Sequence, residues 1–290
     1  MALELAVCGL PVHAGRRGAA RRSHGAEGMG QRCLKNEWRW AGACAIGTSH
    51  IKSGLECQDR AACRSVETAS GPVLVAVVSD GAGSAAKAAI GATIVCTETH
   101  RRIAAYLRGG GGLLNVNGEI VAEWVDSIRD KIGFAASAAT LGPRDFAATL
   151  VALLIDDDRA LIVHIGDGAV TVRDRNTQEW SVPSWPFHGE YASTTRFVID
   201  DPHPQLEIVH VASAIDRFAI FSDGIENLVL DQRMKSAPAP FFERLLQPVA
   251  SWSGSGRSRS LSLQLRKYLE GETVCAETDD DKSVILGART

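Results

Sequence analysis

Three long apolar runs in this chain each stop on an aspartate, and a fourth begins just after one. Val73-Leu-Val-Ala-Val-Val-Ser ends at Asp80, Ala160-Leu-Ile-Val-His-Ile-Gly at Asp167, and Phe218-Ala-Ile-Phe-Ser at Asp223, while Asp280 precedes Ser283-Val-Ile-Leu. Glycine follows three of them at once, as Gly81, Gly168 and Gly224. Runs apolar at every position suit strands covered on both faces, and a carboxylate at the end of such a strand is costly unless something pairs with it. Repeated strand-end acids therefore point to a shared cation. Carboxylate and carbonyl oxygens are hard ligands suited to Mg²⁺ or Mn²⁺, and a glycine lets its backbone carbonyl approach the ion. The pattern predicts a metal-assisted hydrolase; the plainer reading is that acids beside glycine punctuate loops.

At 290 residues and 45% hydrophobic composition, the chain can bury one large core or two modest ones. One catalytic domain over 37–290 is expected, preceded by an extension over 1–36 whose Gly, Ala and Arg content without apolar periodicity predicts disorder. The N-terminus carries Glu4 where a secretory signal needs positive charge, and its arginines, Arg16, Arg17, Arg21 and Arg22, come after the apolar stretch. A transit peptide is the alternative. The net charge of −3 argues against a nucleic-acid partner, and no apolar run approaches the roughly 18 to 20 residues that span a bilayer. Cys8, Cys33, Cys44, Cys57, Cys63, Cys96 and Cys275 are odd in number and scattered, without a C-x-x-C pair, as in a reduced cytoplasmic protein.

Along the chain, alternation from Trp38 predicts a strand ending near Gly47-Thr-Ser-His50, then a turn, and a second strand entered through Cys57-Gln-Asp59. Helices are predicted over Ser84–Leu107 and Glu119–Ala139; in the second, Ile120, Trp124, Ile128 and Ile132 form one apolar stripe. A hairpin is predicted from Ala148–Ile155, through Asp156–Arg159, into a strand from Ala160 to Asp167 that continues through Val170–Arg173. Later strands are expected at Leu206–Val211, Arg217–Ser222 and Ser283–Ala288, with helices at Ala239–Val249 and Ser258–Leu269. Long helices do not follow every strand, so helices laid outside packed sheets fit better than a βαβ repeat.

Five blocks in order, Gly47-Thr-Ser-His-Ile-Lys-Ser-Gly-Leu-Glu-Cys-Gln-Asp59, Ser79-Asp-Gly-Ala-Gly83, Gly166-Asp-Gly168, Ser222-Asp-Gly224 and Asp280-Asp-Lys-Ser-Val284, resemble the metal-dependent type 2C (PPM) protein serine/threonine phosphatases. The opening block and Gly189-Glu-Tyr-Ala-Ser-Thr-Thr195 resemble the compact bacterial branch. The resemblance covers the chain from Trp38 onward. It implies an α+β fold, an α-β-β-α sandwich of two antiparallel sheets flanked by helices. It also implies that Asp80 bridges two divalent cations, Mn²⁺ or Mg²⁺, with the Gly81 carbonyl helping to bind one. Asp223 and Asp280 complete the second cation's shell, Asp59 holds water in an outer shell, and Asp167 with Asp223 matches the site of a weaker third metal. A hydroxide bridging the cations would attack phosphoserine or phosphothreonine in a protein substrate, in signalling opposed to a serine/threonine kinase.

The chain departs from the family at several positions. Ser53-Gly54 stands where better-known members place a phosphate-gripping arginine, leaving His50 or Lys52 as candidate phosphate-binding residues, Lys52 favoured for its permanent charge. Ala82 replaces a proposed general-acid histidine, and Asn227 replaces an acid that favours a third metal. A catalytically weak pseudophosphatase acting as a regulatory or binding module is the alternative function. Gly81-Ala-Gly83-Ser-Ala-Ala86 also matches a dinucleotide fingerprint, although Asp80 ahead of it would repel phosphate. His164 and Trp124 are expected in the core, Asp156-Asp-Asp158 in a solvated turn, Asp279 and Asp281 in outer contacts at most, and Glu190 in a loop over the site or in packing.

Overall fold

The computed structural model describes residues 37–187, 195–232 and 234–289. The extension at 1–36, and Glu190 with most of its loop, lie outside the described residues. In chain order the elements are β1 (Arg39–Ala45), α1 (Thr48–Ser53), β2 (Arg60–Thr68), β3 (Gly71–Ser79), α2 (Ala88–Arg108), α3 (Gly118–Ala139), β4 (Leu150–Ile155), β5 (Ala160–Ile165) and β6 (Ala169–Asp174). Then follow β7 (Trp180–Ser184), β8 (Glu207–Val211), β9 (Ile215–Phe221), α4 (Glu226–Val229), α5 (Ala239–Ser251), β10 (Gly256–Arg257), α6 (Arg259–Leu269), α7 (Glu272–Glu277) and β11 (Lys282–Ala288).

The strands form two sheets, ordered β10-β1-β11-β9-β6-β7 and β2-β3-β4-β5-β8. All pairings are antiparallel except the short one between β1 and β10. β3 shows why its sequence is apolar throughout. Leu74, Ala76 and Val78 face the other sheet, where they meet Phe218 and Ile285. Val73, Val75 and Val77 face outward, under Ile103 of α2 and Ile128 and Ile132 of α3. The period-2 alternation thus feeds two different cores. On the opposite side α5 and α6 lay Phe242, Leu246 and Leu265 over Phe221 and Leu286. Each such fully buried side chain contributes about 1.5–3 kcal/mol by leaving water. The result is the expected α-β-β-α sandwich. α3 begins where Asn117 Oδ1 accepts the Ile120 N–H at 3.0 Å, and buries Trp124, Ile128 and Ile132.

Two sequence expectations are corrected here. β5 does not run on through Val170–Arg173: it pairs with β4 in one sheet, whereas β6 pairs with β9 in the other. The chain changes sheets at Gly166, whose φ of +121° only glycine adopts freely. The first long helix starts at Ala88 rather than Ser84, because the intervening backbone is engaged elsewhere: Ala82 N–H donates to Ala147 O and Lys87 N–H to Asp145 O. That engagement, with the antiparallel sheets, also removes the dinucleotide reading, which needs a βαβ unit with loop N–H groups free for phosphate.

Candidate metal centre

The five aspartates converge because of how the strand ends are arranged. In the five-stranded sheet Arg60 pairs with Ser79, so Asp59, just before β2, lies beside Asp80, just after β3. In the six-stranded sheet β9 runs antiparallel to β11, so Asp223 follows one strand at the end where Asp280 precedes the other. Asp167 sits in the crossing between the sheets, and Ala169, two residues on, pairs with Phe221. One end of the sandwich therefore receives acids from both sheets.

Carboxylate oxygens of Asp80, Asp167 and Asp223 lie within 4.8 Å of one another. Among the described residues no lysine or arginine pairs with Asp59, Asp80 or Asp223. Burial first, then the neighbouring carboxylates, hold Asp80 far above the ordinary aspartate range. Burial followed by repulsion from Asp167, Asp280 and Asp59 pushes Asp223 up to about 8. Burial raises Asp59 to about 6 against the opposing help of Asp80 and Ser222. Asp280 is raised as well, again chiefly by burial. Without a cation Asp80 and Asp223 are driven to hold protons near neutral pH.

The supporting contacts fix the donors in place. Asp80 N–H donates to Thr149 Oγ1 at 3.0 Å, and Thr149 N–H returns to Asp80 O at 2.8 Å. Gly81 sits opposite Ala148 at the non-hydrogen-bonded position of this short bridge, so the ladder leaves the Gly81 carbonyl unused. A Cβ at Gly81 would come within 2.7 Å of Ala88 O, so only glycine fits. Asp59 is fully buried; Ser222 Oγ donates to its Oδ2 at 2.6 Å, and Oδ1 has no hydrogen-bond partner. Ser222 is held in turn by the Ser283 N–H at 3.0 Å. Hard oxygen donors, a spare carbonyl, an orphaned buried carboxylate oxygen and uncompensated negative charge together fit divalent cations.

Asp281 carries more than an outer contact. It is buried, its Oδ1 accepts the Gly47 N–H at 2.6 Å, and its Oδ2 accepts the Gln58 N–H at 2.5 Å and bonds His50 Nδ1 at 2.9 Å. Ser49 N–H and Oγ both donate to Asp279 O. These contacts turn the expected Gly47–Ser53 turn into the short helix α1, which buries none of its own residues. His50 is thereby tied to Asp281, while Lys52 is exposed on α1. Nothing in the triplet Asp279-Asp-Asp281 distinguishes the inward acid; the signal that could have found it is the adjacency of Gly47 to a strand end needing an anchor.

The remaining conspicuous residues are structural. His164 is buried, bonds Ser184 Oγ at 2.6 Å through Nδ1, and is held neutral, its pKa lowered by burial to about 4. Asp156 Oδ1 accepts the Asp158 and Arg159 N–H groups, closing its hairpin.

Residues 46–270 match the family model described as Protein phosphatase 2C. The chain is 34% identical over 254 residues to Serine/threonine-protein phosphatase 3 of Escherichia coli (strain K12), covering 86% of this chain and 97% of that protein. PppA, described as a key regulatory component of T6SS in Pseudomonas aeruginosa, superposes with a TM-score of 0.59 at 15% identity, over 88% of this chain and 99% of that one. The serine/threonine phosphatase Stp1 of Staphylococcus aureus gives 0.55 at 16% identity, over 91% and 100%. At those identities the structural matches speak for the fold alone. The family match stops short of Asp280, which joins the centre by position, ahead of β11 beside the end of β9.

Proposed function

The chain belongs to the protein phosphatase 2C family and is a phosphoprotein phosphatase, and on that premise we propose which of its residues hydrolyse phosphoserine and phosphothreonine. The carrying observation is the meeting of Asp80, Asp167 and Asp223 from both sheets within 4.8 Å, with Asp80 and Asp223 raised in pKa by burial and by their neighbouring carboxylates. Divalent cations bound there would supply Lewis-acid stabilisation of phosphoryl charge and lower the pKa of water at neutral pH.

Asp80 and the Gly81 carbonyl would hold the first of two cations, Mn²⁺ or Mg²⁺, with Asp80 shared by the second, which Asp223 and Asp280 complete. Asp167 and Asp223 would take a weaker third. Asp59, fixed through Oδ2 by Ser222, presents Oδ1 to order water and receive a proton. Lys52 is the cation proposed to bind the phosphate, with His50 as the second candidate, oriented by Asp281. Cys44, Cys57, Cys63 and Cys96 do not serve as nucleophile in this reading: burial pushes the Cys44 and Cys96 thiols up to about 12, and Cys57 and Cys63 higher still, so none of the four is a thiolate at neutral pH.

Catalysis is assigned to 37–290, leaving 1–36 dispensable for turnover of a small ester. No helix among the described residues is long and apolar enough to cross a membrane. Free thiols at Cys44, Cys57, Cys63, Cys96 and Cys275 support a reducing, cytoplasmic setting, where the substrate would be a protein phosphorylated by a serine/threonine kinase. Hydrolysis of p-nitrophenyl phosphate and of a phosphothreonine peptide should require Mn²⁺ or Mg²⁺, stop in EDTA, and fall to near background in Asp80→Asn and Asp223→Asn. Metal-independent turnover, or near-normal turnover in either variant at saturating Mn²⁺, would refute the assignment. Metal binding without turnover would favour the regulatory module.

A further inference from the structure

We propose that a cleft between β1 and the edge strand β2, walled by α6, docks an acidic stretch of the phosphoprotein substrate away from the residue being hydrolysed; this rests on the phosphatase reading above. The cleft has a volume of about 390 Å³, with Gly42–Cys44 and Ala61 as its floor and Arg257, Arg259, Leu263 and Arg266 as its wall. Arg259, Ser262, Leu263 and Arg266 fall at helical offsets of zero, three, four and seven, so one face of α6 presents them all. Ser262 fixes that face: its Oγ accepts the Gly42 N–H at 3.2 Å and donates to Ser258 O at 2.7 Å.

The three arginines are exposed, and only Arg266 has a carboxylate partner, Glu270, one turn away on its own helix at 2.8 Å. Among the described residues no carboxylate pairs with Arg257 or Arg259. This is a concentrated positive patch on a chain with net charge −3. Guanidinium groups match carboxylates in planar two-pronged pairs, and Leu263, 63% exposed between the arginines of α6, offers an aliphatic anchor. Among the described residues no aromatic ring lines the cleft, so a nucleobase would find nothing there to stack on. The chain's own N-terminal extension is the wrong sign, with Arg16, Arg17, Arg21, Arg22, Arg32 and Lys35 against Glu4 and Glu27.

The cleft also lies where a substrate can reach it. Cys44 on its floor pairs with Ser283, whose N–H holds Ser222 and through it Asp59. Gly47, three residues beyond Cys44, is bonded to Asp281. At ~3.3 Å per extended residue Cys44 lies about 10 Å from Gly47, which anchors Asp281 next to Asp280, so acidic side chains roughly three to six positions from the phosphoresidue would enter the cleft.

The test pairs binding with kinetics. A fluorescein-labelled acidic peptide lacking phosphate should bind the full chain saturably by anisotropy, weaken strongly in molar salt, and bind Arg257→Ala/Arg259→Ala/Arg266→Ala roughly tenfold more weakly, as expected on losing about three solvent-screened contacts. In Mn²⁺, a phosphothreonine peptide with acidic residues at the fourth and fifth positions should show a KM roughly tenfold below its neutral counterpart. The triple variant should erase that difference while hydrolysing p-nitrophenyl phosphate like the wild type. Arg259→Glu/Arg266→Glu should transfer the preference to a basic peptide. Equal affinity of wild type and triple variant for the acidic peptide, an unchanged KM ratio, or tighter binding of a short oligonucleotide than of the peptide would each overturn the proposal. A protein that hydrolyses no phosphate ester would sink the phosphatase reading itself, and the anisotropy would then decide the cleft alone.

Discussion

Replacing Asp223 by asparagine should stabilise the metal-free protein, and only above acidic pH. In the fold this carboxyl is pushed from 3.8 to about 8, first by burial and then by Asp167, Asp280 and Asp59. Between those two values the folded state keeps a proton that the unfolded chain has released. Stability of the metal-free fold therefore falls as pH rises from about 4 to about 8 and levels off beyond. At about 1.36 kcal/mol per pKa unit the full penalty is about 6 kcal/mol. Asparagine removes the charge but leaves Asp80, Asp167 and Asp280 repelling one another, so a gain of at least about 2 kcal/mol at pH 8.5 is expected, and below about 0.5 kcal/mol near pH 4. For a domain of this size that gain raises Tm by roughly 4–8 °C. Saturating Mn²⁺ should reverse the order, because the wild type gains about 2.7 kcal/mol at a hundredfold excess over Kd and the variant less. Urea unfolding in EDTA at pH 4.5 and 8.5, repeated at pH 7.5 with Mn²⁺, reads all three arms. If the variant is no more stable than wild type at pH 8.5 in EDTA, uncompensated charge does not govern this centre.

Asp281→Ala strips the acceptor from the Gly47 and Gln58 N–H groups and frees His50, and should cost about 3–5 kcal/mol in urea unfolding, with Asp281→Asn milder. Gly224→Ala would set a Cβ 1.8 Å from Asp281 O and should yield insoluble or strongly destabilised protein, whereas Gly83→Ala, with open space around it, should change stability by less than about 0.5 kcal/mol. Lys52→Ala should lower kcat/KM for p-nitrophenyl phosphate by roughly 10- to 1,000-fold with little change in Mn²⁺ affinity; wild-type kinetics in Lys52→Ala, His50→Ala and the double variant would show that neither binds phosphate.

The acids were legible because β3, β5 and β9 are apolar on both faces, so a charge at their ends stands out from its context. Periodicity also gave α3 nearly to the residue. What sequence could not convey was which sheet each strand joins. A run from Ala160 to Arg173 looks continuous until Gly166 turns it from one sheet into the other, and that choice is made by pairing with β9, far along the chain. The helix α1 was equally hidden: with no buried residue, it owes its shape to Asp279 and Asp281, more than 200 positions away. Local propensity carries no trace of an anchor so distant.

The place of β11 has a consequence for biosynthesis. This strand, residues 282–288, lies between β1 and β9 inside its sheet, and Asp280 stands at its threshold. During synthesis β1 emerges well ahead of β11 and lacks this main neighbour until the ribosome has passed residue 288, a wait of tens of seconds at about 5–20 residues per second. Throughout that interval the chain can assemble neither the complete sheet nor the full set of acids. A newborn copy cannot dephosphorylate anything nearby before residue 288 has been added and folded into its sheet.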